Sequence, residues 1–129
     1  MENNLINSFE IPKNLEVRFI DDTIGYGVFT TKPIKKGDIV EICYCLEFDT
    51  FIGHFLDYIF ENPETNKKLV PFGYGSIYNH DRPGNIRWIV VSNNNKFIKF
   101  LAFRDIDENE ELRHDYGDLY WKSKNRRML

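Results

Sequence analysis

The chain has 129 residues, 42% of them hydrophobic and 16% aromatic, which is material for a single core and a single domain. Charged residues are intermixed and no low-complexity run occurs, so wholesale disorder is excluded. The formal net charge is −3, and since Lys122, Lys124, Arg126 and Arg127 gather at the end, residues 1–121 carry −7. An acidic body disfavours a broad grip on a phosphate backbone, leaves the basic tail only a weak contact with DNA, and attracts a basic peptide.

Two cysteines, Cys43 and Cys45, sit one residue apart among Ile42, Tyr44 and Leu46. In a strand they share a face, and two thiols build neither a disulfide framework nor a four-thiolate zinc site. Both read as buried thiols in a reducing compartment. Met1–Ser8 shows no basic region followed by an apolar run, and no apolar segment reaches membrane-spanning length, so a soluble intracellular protein with no membrane contact is expected.

In chain order, Leu15, Val17 and Phe19 alternate with Glu16 and Arg18, predicting a half-buried strand, and Asp21–Thr23 turn the chain. The run GYGVFTTKPIKKGDIVEICYCLEF, punctuated by Gly25, Gly27 and Gly37, predicts strands joined by turns, with Lys35-Lys36-Gly37-Asp38 as a tight turn. Between Asp49 and Asn62 the pattern changes: Asp49 can cap, Phe51, Phe55 and Ile59 recur at four-residue spacing, and Asn62-Pro63 stops a predicted helix. Its wide apolar surface suits packing on two sides or a homodimer contact. Phe72–Asn85 is too rich in Gly, Asn and Pro for a regular element. Ile86–Ser92 and Phe97–Phe103 predict two strands across the polar turn Asn93–Lys96, and an acidic turn, Arg104–Asn109, leads into EELRHDYGDLYW.

That last stretch crowds His114, Asp115, Tyr116, Tyr120 and Trp121 together, either as an aromatic strand end or as the polar edge of a pocket. Gly25-Tyr26-Gly27 is a G-x-G without the third glycine or following helix of a dinucleotide fingerprint; it is a plain turn or a backbone that a ligand can approach closely. Asn79-His80, taken singly, is a structural hydrogen-bonding pair. His80, Asp81, His114 and Asp115 are the residue types of a mononuclear iron site, but no spacing aims them at one point, and no metal is expected. No Ser or Cys occupies a nucleophile elbow.

Taken together, G-x-G-V-F (Gly25–Phe29), N-H after a glycine-rich approach (Asn79-His80) and R-D-I-x-x-x-E-E-L-x-x-D-Y-G (Arg104–Gly117) resemble, in order and separation, the SET domain of protein lysine methyltransferases. K-P-I-K-K-G-D-I-V (Lys32–Val40) resembles the family's I-x-x-G-x-x-V signature. Gly73, Gly75, Ile77, Asn79 and His80, with D-Y-x-F (Asp57–Phe60) and Y-G-D-x-Y-W (Tyr116–Trp121), look most like small stand-alone viral members of the chlorella-virus type. The likeness covers nearly the whole chain, giving an N-terminal extension over 1–14, a SET domain over 15–121 and a basic tail over 122–129.

This resemblance implies a mainly β fold with short helices, its small curved sheets closed by a C-terminal pseudoknot that brings Asn79-His80 against Tyr116. It implies lysine N-methyl transfer from S-adenosylmethionine to a basic protein or peptide, most plausibly a histone tail, with a homodimer and a nuclear setting as in relatives. Tyr116 would be the catalytic residue. Gly25, Tyr26, Gly27, Asn79, His80, Tyr116 and Trp121 would bind the cofactor, and Tyr26, Tyr58, His114, Tyr116 and Tyr120 would line the substrate-lysine channel. The chain departs from many members in having Asp81-Arg82 where Ser-Cys follows N-H, and His114 where an aromatic residue helps set the methyl count. A SET fold that binds peptide or cofactor without turnover is the alternative.

Overall fold

The computed structural model describes residues 8–49, 60–91 and 96–116. Nine strands lie within them: β1 (Leu15–Asp21), β2 (Gly25–Thr30), β3 (Ile39–Phe48), β4 (Phe60–Glu61), β5 (Lys68–Pro71), β6 (Asn79–His80), β7 (Ile86–Val90), β8 (Phe97–Ala102) and β9 (Glu111–His114). They form a four-stranded sheet in the order β1-β2-β9-β6 and a five-stranded sheet in the order β4-β5-β3-β8-β7.

The β1–β2 hairpin forms because Asp21 Oδ1 accepts the amides of Thr23 and Ile24 at 2.9 and 2.7 Å, while Gly25, at φ +84°, takes the left-handed backbone that closes the turn. Gly25-Tyr26-Gly27 therefore opens β2, and the turn lies before it. The predicted turn at Lys35–Asp38 is present, with Asp38 N donating to Lys35 O and Gly37 at φ +91°. The expected hairpin of the later chain is β7–β8, in register from Ile86↔Ala102 to Val90↔Ile98.

Alternation along β3 sends Cys43 and Cys45 inward as free thiols and Tyr44 outward. Burial raises both thiols, Cys45 to about 12, so neither is a ready nucleophile. The core gathers Val28, Cys43, Cys45, Leu69, Tyr78, Ile86, Ile98, Phe100, Ile106 and Leu112. Residues before β1 lie on this body: Phe9 meets Phe97 edge-on at 5.4 Å, and Asn14 O accepts Thr31 N.

Three expectations change. The helix proposed between Asp49 and Asn62 falls mostly on residues 50–59, outside the described residues. Its last turn is instead strand β4, paired with β5, and Asn62 forms the hairpin turn by accepting Glu64 N on its side chain. On β1 the Val17 and Phe19 face is exposed, while Arg18 lies over the Phe29 ring at 4.9 Å; as an edge strand, β1 turns that face away from the core. Finally, the irregular stretch Phe72–Asn85 contains the short strand β6, whose register runs parallel to β9 through Asn79↔Arg113 and His80↔His114. Parallel neighbours cannot be joined by a tight turn, so the chain leaves through β7 and β8 of the other sheet before β9 returns between β2 and β6.

Candidate active site

The return of β9 assembles the three sequence motifs. Beside β9, Asn79 Nδ2 donates to Tyr26 O at 3.1 Å and to Glu111 Oε2 at 2.7 Å, linking N-H to G-x-G through one side-chain amide. Gly27 is required by this closeness: a Cβ there would stand 3.0 Å from Asn79 Nδ2 and 2.8 Å from Ile20 Cδ1, and would collide with the Glu111 carboxylate. The other Glu111 oxygen accepts Arg113 Nε at 2.9 Å, so the carboxylate is held from both sides.

His80 Nδ1 accepts the Tyr116 backbone N–H at 3.0 Å, and the two rings lie 5.1 Å apart. An accepting Nδ1 needs its lone pair, hence a neutral ring. Burial lowers the His80 pKa in that sense, Asp115 pulling it up and Arg82 pushing it down. The Tyr116 hydroxyl donates to Tyr78 O at 2.7 Å, so both ends of this residue are fixed to the segment 78–80.

The loop after β6 clamps β9. Asp81 N donates to His114 O, and Asn85 N to Arg113 O. The buried Asn85 side chain receives Arg113 N at 2.8 Å and donates to Glu111 O at 2.8 Å, serving as an extra rung of sheet. Gly84, at φ +78°, passes so near that a Cβ would lie 2.6 Å from Arg113 O. Arg82 grips Asp115 with Nε at 2.9 Å and a second nitrogen at 3.2 Å, immediately before Tyr116.

His114 is buried in a ring cluster, 5.4 Å from Phe60, 5.7 Å from Phe100 and 4.9 Å from Tyr116 between centroids. Its Nδ1 has no hydrogen-bond partner among the described residues. Burial drives its pKa down to about 4, against the pull of Asp115.

Of the predicted site residues, Gly27, Asn79, His80, His114 and Tyr116 lie together. Tyr26, 59% exposed as a residue, joins them through its carbonyl, while its ring meets Phe19 edge-on at 5.4 Å. Gly25 stands at the mouth of β2, with nothing within 4 Å of where a Cβ would be. Tyr58, Tyr120 and Trp121 lie outside the described residues. No group of three or more His, Cys, Asp or Glu among the described residues is placed to hold a metal ion. Sequence reasoning gave no role to Glu111, Asn85 or Tyr78, although Glu111 stands inside the E-E-L of the third motif and Tyr78 directly precedes N-H.

Two small sheets, with the last described strand locked between the G-x-G strand and the N-H strand, define a class of protein as well as a geometry. The SET domain family model matches residues 25–117, and the chain belongs to that family. It is 36% identical over 104 residues to the histone-lysine N-methyltransferase, H3 lysine-37 specific, of Schizosaccharomyces pombe, covering 75% of this chain and 69% of that protein. It is 29% identical over 131 residues to N-lysine methyltransferase KMT5A-A of Danio rerio, 84% of this chain but 36% of that one. Among solved structures, a Plasmodium falciparum protein assigned as a histone methyltransferase superposes with a TM-score of 0.68 at 29% identity, over 86% of this chain and 99% of that one. The polycomb repressive complex 2 of Chaetomium thermophilum, bound to S-adenosylmethionine, gives 0.62 at 26% identity, over 83% of this chain and 15% of that one. The particular likeness to viral members rests on the motifs of the sequence alone.

Proposed function

We propose that this chain is an S-adenosylmethionine-dependent protein lysine N-methyltransferase acting on a basic segment such as a histone tail. The observation that carries the reading is the double tether of Tyr116, amide to His80 and hydroxyl to Tyr78 O, beside the Asn79 link to Tyr26. The relatives named above, most of them described as histone or lysine methyltransferases, support the reaction class.

The residues present suit the cofactor. Gly25 opens onto free space at the start of β2, and the backbone from Gly25 to Gly27 and at Asn79 and His80 would hold it. When bound, S-adenosylmethionine supplies a methyl group on a positively charged sulfur. The chain's own task is alignment and exclusion of water, because an in-line displacement by an amine needs little acid–base chemistry beyond an uncharged nitrogen. A free lysine has a pKa of about 10.4, and an apolar, water-poor channel beside a positively charged sulfur would disfavour the ammonium form. With its hydrogen committed to Tyr78 O, the Tyr116 oxygen acts as an acceptor, the role an amine N–H requires. Tyr26, Tyr58, His114 and Tyr120 would wall the lysine stem, and Trp121 would close the cofactor side.

The acidic body steers cationic tails toward the site, and the apolar residues that recur in the sequence from Phe51 to Ile59 support a homodimer. Transfer of tritium from labelled S-adenosylmethionine to core histones and to lysine-rich non-histone proteins tests the proposal. Label on lysine supports it. Cofactor binding without transfer to any acceptor refutes it in favour of a non-catalytic SET fold.

A further inference from the structure

Glu41 is a carboxylic acid in the middle of an apolar strand, 4% exposed. One oxygen accepts the Tyr78 phenol at 2.6 Å and the other accepts the Tyr74 backbone N–H at 2.9 Å. The loop between them is shaped to that carboxylate. Gly73 takes φ +84°, and a Cβ there would strike the carboxylate itself; a Cβ on Gly75 would lie 2.9 Å from the Pro71 side chain and 3.0 Å from Cys43 Sγ. Residues 73–78 are thus wound around one buried acid belonging to the other sheet. Such a group is costly to bury unless its oxygens are satisfied, and here both are.

Tyr78 carries this anchoring into the site. Its ring packs on Phe100 at 4.7 Å and its hydroxyl is on Glu41, while its carbonyl receives the Tyr116 hydroxyl at 2.7 Å. The next two residues, Asn79 and His80, hold Tyr26 O and Tyr116 N. One residue therefore has its side chain fixed by β3 and its backbone in the site.

We propose that Glu41 and the phenol of Tyr78 are positioning residues for methyl transfer: together they form a strut that fixes the Tyr78 carbonyl, and through it the hydroxyl of Tyr116. Neither side chain touches the reacting atoms. The inference rests on the methyltransferase reading above. Removing the phenol hydroxyl frees the carbonyl to shift by a fraction of an ångström, and misplacement of about 1 Å can cost 100-fold in rate.

The test is a kinetic cycle on the full chain with S-adenosylmethionine and a lysine peptide, rates being normalised to folded protein. Tyr78→Phe is expected to lower kcat roughly tenfold, with KM for the peptide and Kd for S-adenosylmethionine changed less than about twofold. Glu41→Gln, which keeps an acceptor oxygen for only one of the two donors Tyr74 N–H and Tyr78 O–H, is expected to act in the same direction. Because the strut works through Tyr116, adding Tyr78→Phe to Tyr116→Phe should produce no further loss. Losses that multiply, or an unchanged kcat per folded molecule in Tyr78→Phe, would overturn the inference while leaving the methyltransferase reading intact. A second readout is independent of turnover: the carbon-13 shift of the Tyr116 phenol carbon should move in both Tyr78→Phe and Glu41→Gln, and a stationary signal would overturn the strut. A wild-type chain with no transfer to any peptide would refute the underlying reading, and the catalytic role with it.

Discussion

His114 offers a measurement in which burial is the largest effect. Its ring is enclosed by Phe60, Tyr78, Phe100 and Tyr116, and its pKa falls from 6.5 to about 4. In the unfolded chain the same imidazole takes up a proton near 6.5. Between these values the unfolded state binds more protons than the folded one, so the contribution is fully present above 6.5 and is lost as pH falls toward about 4. A pKa difference of this size corresponds to roughly 3 kcal/mol once pH is below both values, and to about 2 kcal/mol between pH 7 and pH 5. His114→Phe keeps an aromatic ring in the cluster and removes the proton. Urea unfolding of both proteins at half-unit steps from pH 7 to pH 4 reads the difference in slope, in which the carboxylates common to both cancel. The variant's stability should decline with acid about 2 kcal/mol less by pH 5. Parallel profiles would show that the imidazole is protonated in place, and would refute the assignment of His114 to a dry cluster.

The site geometry leads to four more outcomes. Tyr116→Phe should lower kcat on the order of 100-fold while leaving S-adenosylmethionine affinity within several-fold by calorimetry; equal turnover would remove the hydroxyl from the reaction. Gly27→Ala presses a methyl against Ile20, Asn79 and Glu111, and should cost roughly 1–3 kcal/mol in thermal unfolding and weaken cofactor binding about tenfold. Gly25→Ala, with open space but φ +84°, should cost only about 1 kcal/mol of backbone strain, so equal effects at the two glycines would contradict the packing described. Asn85→Ala strips partners from Arg113 N and Glu111 O and should destabilise by roughly 2–4 kcal/mol in urea unfolding.

Local pattern was enough for some of this fold and useless for other parts. The β7–β8 hairpin was legible because two β-rich runs flank a polar turn, and nothing distant is needed to pair them. Alternation on β1 gave the strand but not its buried side: a period of two names two faces without saying which meets the core, and Val17 and Phe19 proved to be outside. Parity could have found Glu41, since it shares a face with Cys43 and Cys45. That Gly27, Asn79 and Tyr116 meet was legible only through family resemblance. Their contact depends on the parallel pairing of β6 with β9 across some thirty intervening residues, and no local preference encodes that.

The insertion of β9 has a consequence for how the molecule comes into being. A nascent chain translated only as far as Glu110 has G-x-G on one strand edge and N-H on another, both with ladder groups awaiting a neighbour. Such edges invite pairing with other chains, so this stage is the one most exposed to aggregation and to capture by chaperones. When residues 111–116 dock, they satisfy both edges and deliver Tyr116 in the same event. The proposed site is therefore completed all at once with the closing strand, and a chain lacking that strand would keep most of its core without the site.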